Sequence, residues 1–249
     1  MSFWNIVNKV IQDSDIVLIV LDSRLMSKTR NKELEDKVQR QKKPHIYVLT
    51  KCDLIEQEEA DRLKKQVYPS VFVSSKSYHG LKLLREKIII LGKQNYKEKK
   101  KYTVGIVGYP NVGKSSLINA LNGRSSAGVS SVSGYTKGVQ KVKIDNKLMF
   151  LDTPGVIPYE EKNPEKHSIT GSIDPSKTKD PDLAVYKLIE EFPGMLESHY
   201  EIEEDENEDI IEQIALKKGV LLSKGKPDTD RMSRKILKDF LEGKINKKL

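Results

Sequence analysis

Residues 108–115 read Gly-Tyr-Pro-Asn-Val-Gly-Lys-Ser, a G-x-x-x-x-G-K-S pattern set between the apolar run Tyr102 to Gly108 and helix formers from Lys114 to Leu121. Few short patterns constrain a fold as much. A strand must end at Gly108, turn tightly, and hand over to a helix whose first N–H groups face the turn. Glycine is required because the backbone wraps an anion with its N–H groups, and a Cβ would intervene. The helix amino terminus adds partial positive charge at the same point. The pattern therefore predicts a nucleotide phosphate site, with Lys114 neutralising the β- and γ-phosphates and Ser115 ligating Mg²⁺. The plainer reading is an ordinary strand-turn-helix.

The rest of the chain fits an α/β protein. Ile16 to Asp22 (IVLIVLD) and His45 to Thr50 (HIYVLT) are short apolar runs rich in β-branched residues, the mark of strands buried on both faces of a parallel sheet. Val71 to Ser74 predicts another short strand, and Val139 to Ile144 with Lys147 to Asp152 a hairpin around Asp145-Asn146. Helical patterns cover Asn31 to Lys43, Glu56 to Val67 and Leu81 to Leu91, the last closed by Gly92. Lys93 to Lys101 reads as an exposed connector. From Pro158 to Pro181 the chain is polar and broken by prolines, which predicts a mobile segment. Beyond it, helices are expected over Leu183 to Glu191, Ile210 to Leu216 and Asp228 to Leu241. Strands alternating with helices predict a mostly parallel six-stranded sheet, and the closing helices a separate all-α domain. The expected division is 1–178 for the larger domain and 179–249 for a helical, carboxyl-terminally basic one.

Two further kinds of segment decide which nucleotide. Asp152-Thr-Pro-Gly155 follows a strand and fits D-x-x-G, 36 residues after Ser116. There Asp152 would hold Mg²⁺ through water and the Gly155 N–H would sense a γ-phosphate. Thr50-Lys51-Cys52-Asp53 fits [NT]-K-x-D. A carboxylate at Asp53 accepts from both N1–H and the 2-amino group of guanine, and adenine offers neither in that geometry. Lys51 would lay its aliphatic stem over the base. Val73-Ser74-Ser75-Lys76 is similar to the S-A-K segment whose backbone N–H contacts guanine O6; Ser75 in place of alanine is harmless because the backbone makes the contact. The expected base side is thus Thr50, Lys51, Asp53, Ser74, Ser75 and Lys76. The expected phosphate side is Asn111, Val112, Gly113, Lys114, Ser115 and Ser116, with Gly155.

The order of these segments is unusual, because the guanine-reading ones precede the phosphate loop. The same site can still form, since sheet neighbours matter more than chain order and the termini of compact domains often lie close together. The arrangement resembles the circularly permuted GTPases of ribosome assembly, the YlqF/YawG group, from SDIVLIVLDSR to the carboxyl terminus. Even the tail, with Gly225-Lys-Pro-Asp228, Asp239-Phe240 and Gly243-Lys-Ile245, looks like that group's carboxyl-terminal domain. The resemblance implies a three-layer, circularly permuted P-loop GTPase fold, binding of GTP and GDP with Mg²⁺, GTP hydrolysis, and action on a ribosomal subunit or rRNA during large-subunit assembly. It places the Mg²⁺-ligating threonine of the first switch at Thr136, so that Lys114, Thr136 and Gly155 would serve catalysis. It also likens Asn111 to the asparagine that holds K⁺ in potassium-dependent relatives, although a turn asparagine is the plainer reading.

Two positions depart from the pattern. Val156 stands where Ras-like enzymes carry the glutamine that orients the attacking water, and valine cannot do this. No histidine precedes His45 to replace it, and His167 falls in the predicted mobile segment. Slow intrinsic hydrolysis, stimulated by K⁺ or ribosomal particles, is expected. Thr50 replaces the commoner asparagine and forfeits an amide link from the base to the phosphate loop, worth about 1 kcal/mol.

Charge bears on partners. The net charge of +8 favours polyanions without specifying one. Its distribution says more: Lys217 to Leu249 holds eleven basic and four acidic residues, whereas Glu201 to Glu212 holds eight acidic and no basic ones. The longest apolar run, Ile16 to Leu21, is too short to span a membrane. The first residues do not read as a signal peptide, and Cys52 alone offers neither a disulfide nor a multi-cysteine zinc site. A cytoplasmic monomer without zinc is expected. A phosphotransferase would need lid arginines, which are scarce beside lysine, and would leave the guanine segments unexplained. A GTP-dependent signalling or scaffold module with negligible hydrolysis remains the alternative.

Overall fold

The computed structural model describes residues 3–123, 139–158, 161, 163–202 and 209–245. The chain forms two compact units, Met1–Glu161 and Lys162–Leu249. The first runs α1 (Phe3–Asp13), β1 (Ile16–Asp22), α2 (Met26–Thr29), α3 (Lys32–Arg40), β2 (His45–Thr50), α4 (Gln57–Lys64), β3 (Ser70–Phe72), α5 (Leu81–Asn95), β4 (Tyr102–Gly108), α6 (Lys114–Leu121), β5 (Gln140–Lys143) and β6 (Leu148–Asp152).

The strands make one six-stranded sheet in the order β3-β2-β1-β4-β6-β5. Every neighbouring pair is parallel except β5 against β6, the predicted hairpin. All seven residues of β1 are buried because helices cover both faces of the sheet. Ile16, Leu18 and Val20 pack with Leu84 and Ile88 of α5 and Leu117 of α6. Val17, Ile19 and Leu21 point the other way, onto Val7 and Ile11 of α1 and Leu34 and Val38 of α3. The result is the expected three-layer α/β arrangement.

Two readings of local structure are corrected. Gly92 lies inside α5, which continues to Asn95. A Cβ there would stand 2.7 Å from the Tyr102 ring, so this glycine permits a close helix–strand approach and does not end the helix. The proline-rich stretch is also more ordered than predicted over residues 163–181. Pro164 and Pro181 occupy the first turns of α7 (Pro164–Ile169) and α8 (Pro181–Glu191), and Pro175 begins a 3₁₀ turn at Pro175–Lys177. Proline suits that position because its missing N–H has no intrahelical partner there anyway.

The second unit adds α9 (Met195–Tyr200), α10 (Ile210–Lys217) and α11 (Thr229–Leu241). Met232, Ile236, Leu237 and Phe240 line the buried stripe of α11, with Ala184, Val185 and Leu188 buried on α8. Because α7 and the 175–177 turn pack with α8 and α11, the units divide at 161/162, and the expected 178/179 boundary falls inside the second.

Candidate nucleotide site

Parallel pairing sets the carboxyl ends of β1, β2, β4 and β6 on one edge of the sheet, with Asp22 beside Thr50, Val20 beside Gly108 and Ile106 beside Asp152. The chain turns outward in opposite directions from β1 and β4, and ligands of open α/β sheets bind outside such a reversal. The motif segments emerge here although their chain order is permuted.

After β4 the backbone enters left-handed conformations at Asn111 (φ 58°) and Gly113 (φ 93°), then starts α6 at Lys114. Asparagine and glycine are the residues that tolerate this geometry, which curls the loop around a concavity. Lys114 is buried, and its Nζ donates to the carbonyls of Tyr109 at 2.7 Å and Gly108 at 3.2 Å. Burial pushes its pKa down to about 8, and the Asp152 carboxylate only partly opposes this. Ser115 Oγ donates to Asp152 Oδ2 at 2.9 Å, joining the helix start to the end of β6. Ser116 follows, exposed.

The Asp152–Gly155 turn is packed onto the phosphate loop. Thr153 Oγ1 donates to the Ile106 carbonyl at 2.7 Å, and the Val156 N–H donates to the Gly108 carbonyl at 3.1 Å. A Cβ at Gly155 would lie 2.5 Å from Pro110 Cα, so only glycine lets the two backbones approach. Val156 is buried in the apolar layer with Val17, Ile19 and Val107. Its carbonyl accepts from Asn31 Nδ2 at 3.4 Å. A side chain in that layer orients no water.

On the base side, Thr50 Oγ1 is within donating distance of two carbonyls, Val112 at 2.6 Å and Leu21 at 3.0 Å. The hydroxyl thus supplies a link to the phosphate loop by another route, where loss of a link is expected from the sequence. Lys51 is left-handed (φ 55°) and Asp53 sits in the following 3₁₀ turn, Cys52–Leu54. The Cys52 N–H donates to the Val73 carbonyl at 3.3 Å, tying this turn to the Ser74-Ser75-Lys76 segment. Ser74 is buried and its Oγ accepts from the Ser77 N–H at 3.0 Å, which shapes that loop; Ser75 is half-buried and Lys76 exposed. Thr136 lies outside the described residues. His167 belongs to the second unit.

Sequence reasoning misses Asp22. This buried carboxylate accepts from Arg24 through its N–H, Nε and Nη2, and from Lys51 Nζ at 2.7 Å. Burial would raise its pKa, but Lys51 and Arg24 more than reverse this and hold it well below the usual carboxylate range. The only signal in the sequence is an acidic residue closing an apolar run.

Residues 7–161 match the family model described as RsgA GTPase. The chain belongs to the RsgA GTPase family. Residues 103–224 also match a family model described as 50S ribosome-binding GTPase. Among relatives, an uncharacterised GTP-binding protein of Methanocaldococcus jannaschii is 39% identical, over 97% of this chain and 65% of that protein. Nucleolar GTP-binding protein 2 of Neurospora crassa is 34% identical, over 97% of this chain and 40% of its own length. The chain thus spans less than two thirds of the length of these relatives. GNP-bound YlqF from T. maritima has the same fold, with a TM-score of 0.64 at 22% identity, over 96% of this chain and 92% of that one. In this RsgA-family chain the phosphate loop therefore sits in a YlqF-type sheet, and the permuted motif order matches that fold.

Proposed function

We propose that this chain binds GTP and GDP with Mg²⁺, hydrolyses GTP slowly, and acts as a switch in ribosome assembly. The observation that carries the reading is the 2.6 Å contact from Thr50 Oγ1 to the Val112 carbonyl, which brings the guanine-reading turn against the phosphate loop. In this reading Asp53 recognises guanine, the Ser74–Lys76 loop supports it, and the backbone from Asn111 to Ser116 with the Lys114 ammonium holds the phosphates. The Ser115 hydroxyl and Asp152 carboxylate, 2.9 Å apart, are hard oxygen donors of the kind Mg²⁺ takes. Mg²⁺ would neutralise charge on the transferred phosphoryl group. Thr136 would complete the metal set, and the Gly155 N–H would sense the γ-phosphate.

The name of one relative, nucleolar GTP-binding protein 2, and the description of the second matching family model, 50S ribosome-binding GTPase, support a large-subunit particle or its rRNA as partner. The second unit carries the basic surface such a partner needs: Arg231, Lys235 and Lys238 are all exposed on α11. Nucleotide state would pass to this unit along the chain, because the Asp152–Gly155 turn leads directly into it. A cytoplasmic monomer fits this reading, and among the described residues no helix is long and apolar enough to cross a membrane.

Burial of Val156 favours stimulated over intrinsic hydrolysis, with K⁺ at Asn111 or a ribosomal partner supplying what the chain lacks. It also keeps open a GTP-dependent scaffold without useful turnover. Multiple-turnover GTP hydrolysis in Na⁺ and in K⁺, with and without ribosomal particles, tests this. Stimulation by K⁺ or particles is expected; equal turnover in both salts without particles overturns the stimulated mechanism, and no turnover in any condition leaves the scaffold.

A further inference from the structure

We infer that Asp22 is a positioning residue for guanine recognition, acting through Lys51. The inference rests on the guanine-site reading above. β1 lies between β2, which delivers the guanine turn, and β4, which delivers the phosphate loop. Its last residue, Asp22, pairs in register with Thr50, the residue before Lys51.

The Lys51 ammonium ends on Asp22 Oδ2 at 2.7 Å, so its four-carbon stem starts at the end of β2 and finishes at the end of β1. A lysine free in solvent would sample many rotamers and lose that freedom on binding a base. Here the rotamer is set beforehand. The backbone of Lys51 is left-handed, a conformation that strains a non-glycine residue, and the ion pair gives a reason for it to persist. Arg24 completes the device. Its Nε reaches Oδ1 at 3.2 Å and its Nη2 reaches Oδ2 at 2.9 Å, while its N–H caps Oδ1 at 3.0 Å, so the carboxylate cannot rotate away from Lys51. Arg24 and Asp22 side chains are only 3% and 4% exposed, whereas Lys51 is 23% exposed and reaches the site surface. Two buried residues thus steer one accessible side chain.

The test is a double-mutant cycle read by fluorescent GDP binding, with thermal unfolding measured on each variant. The variants are Asp22→Asn, Lys51→Met and the double variant, with Asp22→Glu as a charge-conserving form that should fold even if the amide does not. We expect Asp22→Asn or Asp22→Glu to weaken GDP binding by about tenfold, the size of one charge-assisted contact. In the Lys51→Met background the same change should alter binding less than about twofold. An equal loss in both backgrounds, or no loss in folded Asp22→Asn or Asp22→Glu, overturns the inference. Wild-type protein that shows no preference for GDP over ADP overturns the guanine-site reading itself.

Discussion

Lys114 is buried with its ammonium on two carbonyls of its own loop, and its pKa is depressed to about 8 against 10.5 for a free lysine. Between those values the unfolded chain holds a proton that the nucleotide-free fold does not, so stability of the empty protein rises with pH across about 8 to 10.5. A bound phosphate favours the ammonium, so nucleotide binding above pH 8 must take up a proton. GDP affinity is therefore expected to hold steady below about pH 8 and then fall by up to about tenfold per pH unit, measured by isothermal titration in buffers of different ionisation enthalpy. The fall is read between pH 8 and about 9, before guanine itself loses its N1 proton, and flat affinity there would contradict the placement of this lysine at the phosphates. In the proposed reading Asp53 carries the other half of the recognition. Asp53→Asn exchanges an acceptor for a donor, so GDP binding should weaken by on the order of a hundredfold and XDP binding strengthen, read by competition. Unchanged GDP binding would remove Asp53 from the role.

The elements that carry the site differ in how far the sequence announces them. β1, β2 and β4 are legible because strands covered on both faces leave unbroken apolar runs, and the turns after β2 and β4 carry spaced glycine, lysine and aspartate. Helix α1 carries no cap or glycine to announce it, and its only signal is the helical recurrence of Trp4, Val7, Val10 and Ile11, the last three of them buried. Gly92 misleads because a glycine required by the Tyr102 ring looks the same, in one sequence, as one that ends a helix. Asp22 escapes because its meaning lies in pairing with Lys51, which only the sheet register reveals. The Val156 substitution, by contrast, is plain in the sequence, and its burial turns the absence into a prediction. Val156→Gln, which restores the residue of Ras-like enzymes, places an amide in the apolar layer. It should cost about 1–3 kcal/mol of stability and leave kcat no higher. A faster enzyme with an unchanged Tm would show that the side chain reaches the site.

At the scale of the whole molecule, the permuted order places the D-x-x-G turn next in the chain to the helical unit, whose exposed Arg231, Lys235 and Lys238 offer charge to a polyanion. The proposed binding to rRNA through such residues would be driven by counterion release, so neutralising about five phosphates should lose on the order of a hundredfold in affinity for about a fourfold rise in salt. Salt-insensitive association would assign the contact to a ribosomal protein. All of this depends on one guanine nucleotide reaching from the Asp53 turn to the Lys114 loop. Titration of GDP against ADP by calorimetry, on wild type and on Asp53→Ala and Lys114→Ala, tests that most directly. The account predicts one GDP site per chain, no displacement by ADP, and loss of binding in each variant while both remain folded. Equal binding of ADP, or GDP binding that survives either substitution, would contradict it.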